Sequence, residues 1–264
     1  MKQKKVTDTR KGVKRVRRVK APTNEQVSIK ASRISPQTHA FAFDNDKTLV
    51  TNGILDKGWL ILKNILIIVA TFIAHPIIML QLLKNNFLDE DAAPAEQWQE
   101  LFKHLARNKN AGEYHFACFV QQWAEMKTII PGMDILVKEL ADAGYSLSLW
   151  TDMGKQDGKI LAQKYEHLYD LFTFCSYNTY KHAEPAIKKP SEQAVEKFVA
   201  LSQKHLGDDK TIILVDDKLK NCLAAKKYGK LDYIHFQSAQ QVRYALEKKG
   251  AFEKTSIQNY KDQL

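Results

Sequence analysis

From His39 onward the chain alternates between two kinds of apolar pattern. HAFAFD (39–44), YSLSLWT (145–151), LFTFCSY (171–177), TIILVDD (211–217) and LDYIHF (231–236) are short apolar runs whose length suits buried strands. Between them apolar positions recur at helical spacing. Ile135, Leu136, Leu140 and Ala143 mark one face of a helix that Gly144 stops, and further helical patterns cover 156–168, 190–206, 218–228 and 238–249. Strands separated by helices predict a parallel sheet covered on both faces. The expected fold is α/β, a doubly wound, Rossmannoid parallel sheet.

A long insert interrupts this alternation after the first strand. Asn52-Gly53 reads as a tight hairpin turn between Leu49-Val50 and Ile54-Leu55. Helical patterns then occupy about 56–84, 94–107 and 112–127, and Trp59, Trp98 and Trp123 are most simply the core of the insert. Within it, residues 64–83 run twenty positions without a charge, long enough to span a bilayer, although His75 and Pro76 sit near the middle.

Charge changes the picture at one end only. The formal net charge is +10 over 264 residues, and residues 1–33 carry all of it, with twelve Lys or Arg against Asp8 and Glu25. The body is therefore neutral, which argues against the folded part being a nucleic-acid binder. The arm reads as a solvated, disordered segment that is able to touch an anionic membrane or, without sequence specificity, a nucleic acid. Cys118, Cys175 and Cys222 are widely spaced and contain no CxxC pair, so neither a disulfide framework nor a zinc site is indicated, and a reducing, cytoplasmic setting is expected. No apolar h-region follows the basic start, so no secretory signal is expected.

In open parallel sheets, ligands bind outside the carboxyl ends of the strands. The residues there are Asp44, Asn45 and Asp46 after the first run, Thr151 and Asp152 after the second, and Asp216 and Asp217 after the fourth. Carboxylates converging from two distant segments repel one another unless a cation sits among them. Oxygen ligands without His or Cys select a hard cation, and an open carboxylate pair with room for water and phosphate suits Mg²⁺. A carboxylate nucleophile beside Mg²⁺ points to phosphoryl transfer, with a Lys to balance the phosphate oxygens. Taken alone, a VDD sequence would serve equally well as a helix cap, and Thr151 would more often be a helix or turn cap than a phosphate ligand. No GxxxxGK[ST] loop is present, which argues against a nucleotide triphosphatase.

These segments resemble the motifs of the haloacid dehalogenase (HAD) superfamily. FAFDNDKTLV is similar to its first motif, DxDx[TV] after apolar residues, and LSLWTD to its second; IKKPSEQAVEKF resembles the third, and TIILVDDKLKN the fourth. The resemblance covers about residues 39–236. It implies that Asp44 is a nucleophile forming an aspartyl-phosphate and that Asp46 is the general acid and base. It further implies that Thr151 binds the phosphoryl group and that Lys189 neutralises charge, with Lys188 and Lys181 as alternatives. Asp217 would ligate Mg²⁺ with Asp44 and the backbone carbonyl of Asp46, with Asp216 beside it and Asn221 orienting. Lys47 stands where the first motif often has Gly.

The acid two residues after the nucleophile favours a phosphatase over a dehalogenase. A small-molecule phosphate ester is then the expected substrate, and a lipid phosphate or transfer to a second alcohol are variants of that reading. The alternative from another class is a non-catalytic binding or regulatory module delivered to RNA or an anionic membrane by its arm. The family also places a helical cap between the first two motifs. The expected plan is a basic tail over 1–35, an α/β core from 36–52 and 128–250, a helical cap over 53–127 and a tail over 251–264. One membrane crossing at 64–83 would put the first motif opposite the other three. No transmembrane span is expected, and the stretch reads as cap helices broken near Pro76 or as an interfacial segment.

Overall fold

The computed structural model describes residues 27–31, 33–52, 121–122, 124–178 and 187–252. The basic arm through residue 26, the apolar run at 64–83, Lys181, the tryptophans of the insert and most of the expected cap lie outside the described residues, as do the membrane or nucleic-acid contacts expected of them. Among the described residues, no helix is long and apolar enough to cross a membrane.

Among the described residues the strands are β1 (Val27–Ser28), β2 (His39–Phe43), β3 (Val50–Thr51), β4 (Thr128–Ile129), β5 (Ser146–Gly154), β6 (Phe174–Asn178), β7 (Thr211–Asp216) and β8 (Asp232–His235). The helices are α1 (Met133–Asp142), α2 (Lys155–Lys164), α3 (Glu166–Tyr169), α4 (Glu192–Leu206), α5 (Leu219–Gly229) and α6 (Ala239–Lys248). Six strands form one sheet in the order β1-β8-β7-β2-β5-β6, and β3 pairs antiparallel with β4 in a separate ribbon. Within the large sheet only β1 runs antiparallel to its neighbour.

Period-two alternation explains the layers. On β2, Phe41 and Phe43 enter the apolar cluster formed with α1, α2, α3 and α6, whereas Ala42 enters the one formed with α4 and α5. On β7, Ile213 and Val215 face the first cluster and Ile212 and Leu214 the second. Both faces of the sheet are covered, so the central strands β2 and β7 carry apolar residues on both faces. The chain leaves β2 for β5 on one side and later returns to β7 on the other. The switch point therefore lies at the end of β2, where Asp44 sits.

Several boundaries differ from the expected ones. The body begins before residue 36: β1 pairs with β8, Ile29 and Ile34 are buried, and the Lys30 amide donates to Asp232 at 2.9 Å. Ala251 is buried as well, so the body also extends past residue 250. The third run starts its strand only at Phe174, after a turn. The second continues past Thr151 to Gly154, and its pairing with β6 shifts register between Trp150 and Gly154. A shift of this kind re-aims side chains locally. Val50–Thr51 pairs with Thr128–Ile129, the segment that returns from the insert, and the proposed partner Ile54-Leu55 is outside the described residues.

The end of α5 reverses the usual placement of glycine. A Cβ on Gly229 would meet Val195 Cγ1 at 2.7 Å and Val199 Cγ2 at 3.0 Å, so this glycine lets α5 lie against α4. The left-handed cap position falls to Lys230, at φ 56. Gly229→Ala should cost about 1–3 kcal/mol through overpacking. Lys230→Gly should gain about 1 kcal/mol by relieving the left-handed backbone. Urea unfolding of both variants checks the two signs together.

Candidate active site

The sheet register assembles the site. Phe43 is paired with Leu149 on β5 and with Val215 on β7, so the next residues, Asp44, Trp150 and Asp216, stand in a row across three strands. The Asp44 amide donates to the Val215 carbonyl at 2.9 Å, continuing the ladder one step past the strand. The chain then folds back tightly: the Leu49 and Val50 amides both donate to the Asn45 carbonyl, and Lys47 takes a left-handed conformation at φ 62. That conformation accounts for the glycine often found at this point of the first motif.

Lys189 joins the row. Its Nζ donates to Asp44 Oδ1 at 2.7 Å, to Asp216 Oδ2 at 2.7 Å and to the Trp150 carbonyl at 3.1 Å. Its amide donates to Asp152 Oδ1 at 3.0 Å, and the ammonium lies 5.2 Å from the centre of the Trp150 ring. Lys188, only partly buried, contributes its carbonyl to the turn that starts α4. Of these two neighbours, Lys189 is the one that reaches Asp44. Burial opposes its charge, but Asp216, Asp44 and Asp152 outweigh burial and raise its pKa.

Asp216 is fully buried and heavily bonded. Beyond Lys189, it accepts from the Lys218 amide at 2.8 Å and from Asn221 Nδ2 at 3.0 and 3.1 Å. Asn221 thus orients Asp216, while its own Oδ1 is buried without a hydrogen-bond partner. The residue at the N-cap of α5 is Lys218, with no side-chain cap, so the DD pair serves the site as well as the turn. Asp44, Asp216 and Asp217 each offer a carboxylate oxygen within 4.8 Å of the others.

Thr151 lies in the stretch of shifted register, and its Oγ1 accepts the Met153 amide at 3.1 Å. It does not cap α2, whose N-cap is Gly154. Beside it Asn45 is buried, accepting from the Tyr169 hydroxyl at 2.8 Å and donating to Met153 Sδ at 3.3 Å, so α3 steadies the turn after Asp44. Asp46 differs from Asp44 in its surroundings. Its side chain is 49% exposed, against 9% for Asp44, and it pairs with Lys127. Sequence reasoning did not find Lys127 or Tyr169, because each belongs to a segment that no spacing ties to the carboxylates; Asn45 was placed at the strand end but given no role.

The charge inventory tests the expected metal. Burial raises the pKa of Asp44, which Lys189 offsets only in part and Asp216 reinforces. Burial likewise raises Asp217, with Asp216 adding to it and Lys218 and Lys47 opposing. It raises Asp152 too, against Lys189. Four carboxylates crowd one buried ammonium, and a divalent cation would correct this excess. All the donors are oxygen, which fits Mg²⁺. Asp44 and Asp217 would hold it, with Asp216 adjoining.

No protein-family profile matches the chain, and no curated protein matches it in sequence. Among solved structures it is similar to a HAD phosphatase from Thermococcus onnurineus, with a TM-score of 0.53 and 17% identity over 80% of this chain and 99% of that one. A hydrolase from Streptococcus pneumoniae TIGR4 gives a TM-score of 0.48 and 16% identity, covering 80% and 98%. A HAD-superfamily hydrolase from Ehrlichia chaffeensis gives 0.45 and 12%, covering 82% and 98%. At 17% identity the likeness to the Thermococcus protein is one of fold, and the fold is HAD-like.

Two stability measurements follow from the charge balance. Lys189→Met should lower metal-free stability by about 3–5 kcal/mol, because it leaves buried carboxylates without their cation. Mg²⁺ at a hundred times its dissociation constant should raise wild-type stability by about 2.7 kcal/mol, and Asp217→Asn should shrink that gain. Urea titrations with Mg²⁺ and with chelator read both.

Proposed function

We propose that this protein of HAD-like fold is a Mg²⁺-dependent phosphomonoester hydrolase that works through an aspartyl-phosphate on Asp44. The observation that carries the reading is the Lys189 ammonium shared by Asp44 and Asp216, with Asp217 in the same carboxylate group. A buried nucleophile held by a fixed cation at the switch point is suited to attack on a phosphoryl group, and the acid at Asp46 favours that over attack at carbon. When bound, Mg²⁺ supplies charge neutralisation of the phosphoryl oxygens and lets a dianionic ester approach the carboxylates.

The residues divide the work. An Asp44 carboxylate oxygen attacks phosphorus and the bond to the ester oxygen breaks. Asp46, at the open side of the site, gives its proton to the departing alcohol. Thr151, whose oxygen already accepts the Met153 amide, keeps its hydroxyl hydrogen to donate to a phosphoryl oxygen. Lys189 offsets charge on the nucleophile and the group it receives. In the second half Asp46 takes a proton from a water that attacks phosphorus, the bond to Asp44 breaks, and phosphate leaves. Asp46 is thereby restored. Asp44, Asp46, Thr151, Lys189 and Asp217 all lie along one sheet edge, which supports turnover over a non-catalytic module.

Release of phosphate from 4-nitrophenyl phosphate should require Mg²⁺, stop with chelator and be abolished in Asp44→Asn. Asp46→Asn should retain metal binding and lose a factor of about 10²–10⁴, the usual worth of a positioned acid or base. Folded, metal-loaded wild type without turnover on a panel of phosphate esters would sink the reading.

A further inference from the structure

Lys127 is a buried cation outside the four motif segments. It directly precedes β4, in the stretch that re-enters the core from the insert, and its side chain is only 3% exposed. Its Nζ pairs with Asp46 Oδ1. The main chain that carries it is pinned from two directions. Its carbonyl accepts from the Tyr165 hydroxyl at 2.6 Å and from Lys164 Nζ at 2.8 Å, both at the C-terminal end of α2. Just beyond, β4 pairs with β3, and the Ile130 amide donates to the Leu49 carbonyl at 2.9 Å, within the turn that also carries Asp46.

We propose that Lys127 is a positioning residue for Asp46, fixing the carboxylate where it meets the leaving group and coupling its placement to the segment that returns from the insert. The inference rests on the acid and base role given to Asp46 above. An aspartate that is half exposed has several rotamers open to it, and a displacement of about 1 Å can cost a hundredfold in rate. An ammonium anchored through its own backbone to α2 and to the β3–β4 ribbon removes that freedom. A buried Lys is poor value for stability alone, since an apolar residue of the same shape avoids the desolvation cost. Its aim at a reactive carboxylate gives it a use.

The test uses the full chain with Mg²⁺ and two esters of similar shape, 4-nitrophenyl phosphate and phenyl phosphate. Nitrophenolate, the weaker base, needs the proton less than phenolate does. Lys127→Met should lower kcat/KM for phenyl phosphate by about tenfold more than for 4-nitrophenyl phosphate, a fraction of what a full acid contributes, and Lys127→Arg should restore most of the difference. Equal losses on both esters would mean a purely structural lysine and overturn the proposal. Asp46→Asn separates the two levels. If it discriminates between the esters and Lys127→Met does not, the role of Asp46 stands and that of Lys127 falls. If Asp46→Asn does not discriminate either, both fall. Should the wild type turn over neither ester, a urea-unfolding cycle of Lys127→Met, Asp46→Asn and the double variant decides whether the pair acts at all. Additive losses there overturn the proposal.

Discussion

The Lys189 ammonium, enclosed by Asp44, Asp216 and the Trp150 carbonyl, is the constraint on which this end of the sheet depends. It draws together the lead into α4, the switch-point strand and the strand beside it. Three segments remote in sequence must all be in place before any of their charges is compensated. Such a cluster is expensive to bury and cheap to break, because removal of one partner strands the others. It therefore specifies one arrangement of the sheet end more than it adds to stability. Trp150 gives the lysine a wall: its ring stacks on Phe198 of α4 at 4.5 Å between centroids, so the helix that brings Lys189 also fixes the indole beneath it.

Much of this was legible in the chain. HAFAFD and TIILVDD read as buried strands because apolar residues fill both faces of a covered parallel sheet, and the acids that end them fall side by side once the register is in step. Asp44, Asp216 and Asp217 were foreseeable for that reason. Lys189 was named through the resemblance with Lys188 and Lys181 left as alternatives, since IKKP offers two neighbours and only the path of the backbone decides between them. Thr151 was identified but misplaced at a strand end, because a register shift leaves no mark on composition. β1 was assigned to the tail because its two residues adjoin a basic run, and charge obscures so short an edge strand. Lys230 shows the same limit from the other side: tertiary packing took the glycine at 229 away from the cap position that local rules assign to it.

The insert joins the core through a narrow device. β3 and β4 have two residues each, yet they carry the outgoing and returning chain side by side next to the turn that holds Asp46. Lys164 and Tyr165 then tie the returning segment to α2 through the Lys127 carbonyl, and α2 itself follows β5 and Thr151. Asp46 is thus tied to the β3–β4 ribbon and to α2 through Lys127, whereas Asp44 is held by the Val215 carbonyl and Lys189.

That difference fits the demands of the two half-reactions proposed above. A nucleophile gains from a fixed, dry setting, because it must meet phosphorus along one line and must not be displaced by water before the ester arrives. The acid and base must exchange protons with an alcohol in one step and with water in the next, so it needs contact with solvent. Asp44 and Asp46 are two residues apart, yet one side chain is nearly enclosed and the other half open. The tight turn through Asn45 and the left-handed Lys47 is what separates them. A straight continuation of β2 would have placed Asp44 and Asp46 on the same face in similar surroundings. The strained turn gives one strand end two carboxylates with distinct environments, and distinct environments are what allow two identical side chains to do different chemistry.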